Sequence, residues 1–198
     1  MNGRFCLQPG ALLPAAALVY IGNRYEIAAI LLPVLFHELG HVLALCLLGL
    51  RIRRFRVELR GFCIEYYGET GAMGHALAAL AGPAAGVLWA FAAAVWGRSH
   101  DWLTLSAGVS LLLSIFNLLP ALPLDGGRVL LVLSGAVLGE RRGERLTEAV
   151  SLAVGAALLA AGFWLMLRGR GIALLTAAVW LLCFQENGRG LVKRPEMI

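Results

Sequence analysis

Apolar residues in this chain fall into long unbroken stretches separated by short polar clusters. One stretch runs from about Ile27 to Leu50, another from about Ala72 to Trp96, another from Leu146 to Leu167, and a shorter one from Ile172 to Phe184. As helices, the longer ones can cross a hydrocarbon layer of about 30 Å. An earlier stretch, Gly10 to Gly22, extendable back to Phe5, contains Pro14 and either crosses the bilayer or lies on it. The region Trp102 to Leu138 is longer than any of these, with only Asp125 and Arg128 charged. As one helix it would measure about 55 Å at ~1.5 Å per residue. It must therefore break, and Pro120 and Pro123 mark the place. The pattern predicts an all-α integral membrane protein of about six transmembrane helices, with the fourth span broken.

Residues 51–67 follow a different period. Arg54, Arg56, Glu58 and Arg60 alternate with Phe55, Val57 and Leu59. A repeat of two predicts a strand. Gly61 offers a turn and Phe62 to Tyr67 a returning strand, so a small β-hairpin is expected after the second span. The competing reading is a basic loop resting on anionic lipid.

Composition agrees with the pattern. The chain has 198 residues, 60% apolar and 15% charged, where soluble domains average about 45–50% and about 25%. This excludes an ordinary soluble globule and a disordered chain. A single membrane-embedded domain, 1–198, is expected. Net charge is +5 and the pI about 9.4. In a soluble protein that balance would suggest nucleic acid, but here the basic residues sort by side. Twelve of the 17 lie at the N-terminus, in 51–71, in 139–146 and in 185–198, against four in the alternate loops. The bias places both termini and the hairpin in the cytoplasm, and no nucleic-acid partner is expected. Cys6, Cys46, Cys63 and Cys183 are scattered and form neither a disulfide framework nor zinc-finger spacing. No cleavable leader pattern is visible, so the N-terminus is expected to stay attached.

The chemistry lies inside the second stretch, as His37-Glu38-Leu39-Gly40-His41. Histidines four apart share a helix face and can hold one metal ion, and the glutamate between them can serve as general base. Ionisable groups at this depth are costly and default to a functional reading; the bland alternative is a pair of hydrogen-bonded interior histidines. A catalytic zinc usually takes a third protein ligand. His75 opens the next span and His100 sits in a loop, which makes both poor candidates. Asp125 is the only acid of the broken region, and it follows Asn117-Leu118-Leu119-Pro120-Ala121-Leu122-Pro123-Leu124. Irregular backbone at this depth needs a protein or water lining, so the segment is expected to border a wet cavity. Asp125 can alternatively cap the helix from Gly126 and pair with Arg128.

His37-Glu38-xx-His41 in one span, Ala81-Gly82-Pro83 in the next and Asn117-xx-Pro-xx-Pro-Leu-Asp125-Gly in a later one resemble the site-2 protease family of intramembrane zinc metalloproteases. The likeness covers residues 26–138, expected to form the catalytic core. With Leu50-Arg51-Ile52-Arg53-Arg54 soon after the first motif, the chain most resembles the stage IV sporulation protein FB branch. That resemblance implies one zinc ion held by His37, His41 and Asp125, with Glu38 as general base and Asn117 holding substrate. It also implies cleavage of a membrane-associated sigma-factor precursor, control by partner membrane proteins, and residence in the mother-cell membrane around the forespore. Another membrane-tethered regulator, such as an anti-sigma factor, is the alternative substrate, and a non-enzymatic metal-binding membrane protein the alternative class. No PDZ domain or C-terminal regulatory domain is expected.

Three further expectations follow. Ser106, Ser110, Ser114 and Asn117 share a helix face, bordering a water path or bonding back to their own helix. Gly82 and Gly86 are read as a helix-packing contact. A helical substrate must unwind to expose its scissile carbonyl, and the hairpin edge at Val57 could pair with the unwound segment.

Overall fold

The computed structural model describes residues 5–7, 23–58, 61–97, 100–183 and 185. Strand β1 is Phe5–Leu7, helix α1 is Arg24–Leu47, and strands β2 and β3 are Arg51–Glu58 and Gly61–Tyr67. Helices α2 (Ala72–Trp96), α3 (Asp101–Asn117), α4 (Asp125–Leu138), α5 (Glu140–Leu167) and α6 (Ala173–Cys183) follow. The apolar stretch Gly10–Gly22 lies outside the described residues. Three helices, α1, α2 and α5, are long and apolar enough to cross a membrane. The described residues fall into two compact units, one ending at Asn117 and the other beginning at Leu118.

In the first unit, Asn23 starts α1 with a reciprocal cap. Its side chain accepts from the Tyr25 and Glu26 backbone N–H groups, and the Glu26 carboxylate accepts from the Asn23 N–H. Along α1 the residues Ala29, Pro33, His37, His41 and Leu45, four apart, are all buried. The opposite row, Leu31, Leu35, Leu39, Leu43 and Leu47, is 51–79% exposed. A helix whose apolar row faces outward and whose histidine row faces inward is built for lipid as solvent. At its end, Gly49 takes φ 74°, and the Leu50 and Gly49 N–H groups close back onto the Leu45 and Cys46 carbonyls. This glycine stop turns the chain directly into β2. Leu50 then joins a small core with Leu45, Ile64, Tyr66 and Ala78 that ties the sheet to α1 and α2.

The expected hairpin is present as the antiparallel pair β2–β3, with Arg51 opposite Tyr67 and Val57 opposite Phe62. Two features differ from expectation. Phe5–Leu7 does not extend the first apolar stretch; it pairs in parallel with Phe55–Val57. The sheet is therefore three-stranded in the order β1-β2-β3, with β2 central. The backbone at Val57 already faces Leu7 on one side and Phe62 on the other, so it is not an open edge for an incoming strand.

The serine stripe of α3 follows the second of its two readings at Ser114 and turns to α2 at Ser106 and Ser110. Ser106, Ser110 and Ser114 are buried against α2 rather than lining a water path. The Ser110 hydroxyl donates to the Gly86 carbonyl at 2.7 Å, Ser114 donates to its own helix at the Ser110 carbonyl, and the Trp89 indole N–H donates to Ser106. Small residues and interhelical hydrogen bonds replace the hydrophobic drive that lipid cannot supply.

In the second unit the predicted break is real, spanning 118–124. The Leu122 N–H donates to the buried Ser151 hydroxyl of α5 at 3.0 Å. Ala121 and Leu122 are fully buried. Helix α5 begins at Glu140, six residues before the apolar stretch that announces it, because its first turns are polar. It packs on α4 where Gly143 lies against Gly135 and Ser134, and on α6 where Gly162 lies against Leu175.

Candidate metal centre

His37 and His41 occupy the inward row of α1 and are 5% and 2% exposed. The Ala78 carbonyl lies 2.8 Å from His41 Nδ1. A carbonyl can only accept, so Nδ1 must carry the proton, and in the neutral ring Nε2 then keeps a lone pair. That Nε2 faces His37 Nε2 at 3.4 Å, with the two rings nearly perpendicular at 82°. Two nitrogens at ~2.0–2.1 Å from a tetrahedral zinc lie about 3.3 Å apart. The spacing of the pair therefore suits one shared ion. Phe36, next to the first histidine, stacks on Trp89 of α2 at 4.2 Å, and Trp89 is in turn held by Ser106. Glu38 is half-buried between the two ligand positions.

Asp125 is built by the second unit. It is the first residue of α4 and is 6% exposed. The N-terminus of a helix favours negative charge, which suits a carboxylate placed there. Leu124 stands at the capping position, so Asp125 is not the N-cap. The loop before it folds tightly onto the start of α4. A Cβ on Gly126 would meet the Leu118 and Leu119 carbonyls, and one on Gly127 would lie 2.5 Å from the Leu122 nitrogen and 2.6 Å from the Ala121 oxygen. The two glycines after the aspartate are thus required by the loop that positions it. Arg128 turns back to the same loop, its Nε donating to the Pro123 carbonyl at 3.3 Å.

Asn117 ends α3 and is half-buried; its side-chain N–H donates to the Leu113 carbonyl of its own helix at 3.1 Å. His37 and His41 in the first unit and Asp125 in the second are each buried, and each offers an atom of metal-ligand type. His75 is engaged elsewhere, its Nδ1 2.9 Å from the Tyr66 hydroxyl. Sequence reasoning missed the Ala78 carbonyl, the Ser151 clamp and the place of Gly82 against the His41 ring. A backbone acceptor has no sequence signal, and although Gly82 belongs to the Ala81-Gly82-Pro83 motif, its spacing from Gly86 signals only packing.

Residues 91–162 match the model of Peptidase family M50, a range that includes Asn117 and Asp125 and lies downstream of the histidine pair. A Synechocystis sp. (strain ATCC 27184 / PCC 6803 / Kazusa) protein, provisionally described as a zinc metalloprotease, is 32% identical over 105 residues. That match covers 49% of this chain and spans only 28% of the relative's length. The solved Site-2 Protease from Methanocaldococcus jannaschii matches with a TM-score of 0.71 over 93% of this chain and 91% of that one, at 18% identity. The fold is that of a site-2 protease. The expected fold class therefore stands: a mostly helical, membrane-capable chain with a small sheet whose hairpin lies between its first two described helices.

Proposed function

We propose that this chain is an intramembrane zinc metalloendopeptidase that cleaves a membrane-associated protein in or near its membrane segment. The observation that carries this reading is the histidine pair: two buried Nε2 atoms 3.4 Å apart on a helix whose other face is all leucine. His37 and His41 would hold the ion through Nε2, with Asp125 as the third ligand. Zinc, when bound, supplies a Lewis acid that polarises the scissile carbonyl and acidifies water. Glu38 holds the proton taken from the attacking water and returns it to the leaving amine. The Ala78 carbonyl keeps His41 in the ligating tautomer throughout. Asn117 steadies the substrate through whatever capacity its amide retains beyond the bond to Leu113.

The test is coexpression of the full chain with a membrane-tethered substrate, comparing wild type with Glu38→Gln. Cleavage by the wild type and loss of at least a hundredfold in the variant is expected, in keeping with general-base contributions of ~10²–10⁴. Equal cleavage by both would sink the mechanism. Purified wild type should carry about one zinc per chain and Asp125→Ala much less; undiminished zinc in that variant would remove Asp125 from the ligand set.

The finer reading follows the sporulation-branch resemblance. The substrate is a sigma-factor precursor of the pro-sigma-K type, the regulators are partner membrane proteins, and both termini face the cytoplasm of the mother cell. The basic Arg51, Arg53 and Arg54 at the start of β2 suit an acidic flank on such a substrate. Processing of the precursor, set against an anti-sigma factor in the same coexpression, distinguishes the two substrate classes.

A further inference from the structure

Helix α2 touches the His41 imidazole at both of its ends. At one end the Ala78 carbonyl lies 2.8 Å from Nδ1. One helical turn later, on the same face of α2, comes Gly82. A Cβ on Gly82 would overlap His41 Nε2 itself and would lie 2.5 Å from Cε1 and 2.7 Å from Cδ2. Those three atoms form the coordinating edge of the ring, the edge that faces His37 Nε2. The ring has little freedom to retreat. It is 2% exposed, it is bound at Nδ1, and α1 is pressed onto α2 where Gly40 meets Ala81 and Ala85. Gly86, the next glycine along α2, makes a different contact: the atoms nearest its Cβ position belong to Ser114 and Ser110 of α3.

We propose that Gly82 is a positioning residue of the metal centre: its missing side chain leaves His41 Nε2 open and aimed, so that even a methyl group there masks the coordinating nitrogen. Gly86 serves packing alone. This rests on the metal reading above. It assigns a role in ligation to a position whose spacing from Gly86 otherwise indicates only close helix approach.

Two measurements on the purified full chain in detergent test it. The first is titration with cobalt, followed by its visible absorption. Gly82→Ala should weaken cobalt binding about tenfold or more, the scale on which ligand-orienting contacts act, and should change the band shape. Gly86→Ala should stay within about twofold of wild type even if it melts earlier. Equal affinity and spectrum for Gly82→Ala, or equal losses for both glycine variants, would overturn the proposal. Failure of the wild type itself to bind cobalt would overturn the metal reading instead. The second measurement is thermal denaturation of the double-substitution cycle with His41→Ala. The melting penalty of Gly82→Ala should vanish once the ring is gone. If Gly82→Ala alone does not fold, rescue by His41→Ala supports the proposal; an unchanged penalty, or failure in both backgrounds, places the clash elsewhere and rejects it.

Discussion

Individual residues are constrained here chiefly by what stands next to them, and often by backbone. At Gly127 the space for a side chain is filled by the Ala121 carbonyl and the Leu122 nitrogen, which cannot turn aside as a side chain would. Gly127→Ala should therefore cost about 1–3 kcal/mol by overpacking. Gly135 has nothing within 4 Å of its Cβ position, so Gly135→Ala should be neutral or stabilise α4 by up to ~1 kcal/mol through helix propensity. Thermal melting of both variants separates a tight glycine from an idle one on the same helix. Asn23 gives a third check. It accepts two backbone N–H bonds at the start of α1, and Asn23→Ala should cost about 1 kcal/mol. That loss would be visible as earlier melting with little change in metal content, because the cap lies several turns from the histidines.

At the scale of elements, the loop 118–124 shows how an irregular segment is held. Its prolines remove donors, and the Leu122 N–H finds its acceptor in the Ser151 hydroxyl of α5. Removing that acceptor leaves a buried N–H unsatisfied, at a cost of about 1–3 kcal/mol. Ser151→Ala should therefore lower the melting temperature and loosen the start of α4, read as faster hydrogen exchange at Leu122. If Asp125 is a ligand, zinc affinity should fall with it, while Ser151→Thr, which keeps the hydroxyl, should recover most of the loss. The sheet carries the other lesson at this scale. Alternation in 51–58 foretold β2, whereas Gly61, expected as the turn, is the first residue of β3 and pairs with Glu58. Phe5–Leu7 was legible only as apolar, because a three-residue strand has too short a pattern to separate from the edge of a span.

The whole chain bears on stability through its ligand. The ligands proposed above for the zinc ion are His37, His41 and Asp125. An ion that binds only the folded protein adds RT ln(1 + [L]/Kd), about 2.7 kcal/mol at a hundred times Kd. Stripping zinc with a chelator should lower the melting temperature of the wild type, and re-adding zinc should restore it. Asp125→Ala should show a much smaller response. A wild type indifferent to zinc would argue against a bound ion that stabilises the fold.

What could be read from the residues in order is whatever depends on neighbours a few positions apart. Helical spans follow from segment length against bilayer thickness, because each helix satisfies its own backbone. The histidine pair follows from a spacing of four on one helix, and the break before Asp125 from two prolines that cannot continue a helix. The fold decided what depends on partners far away. His41 meets Ala78 across 37 positions, Leu122 meets Ser151 across 29, and Ser110 meets Gly86 across 24. No local period encodes those distances; they arise when small residues let helices close to backbone contact, and packing then selects which carbonyl orients a ring and which glycine must stay bare.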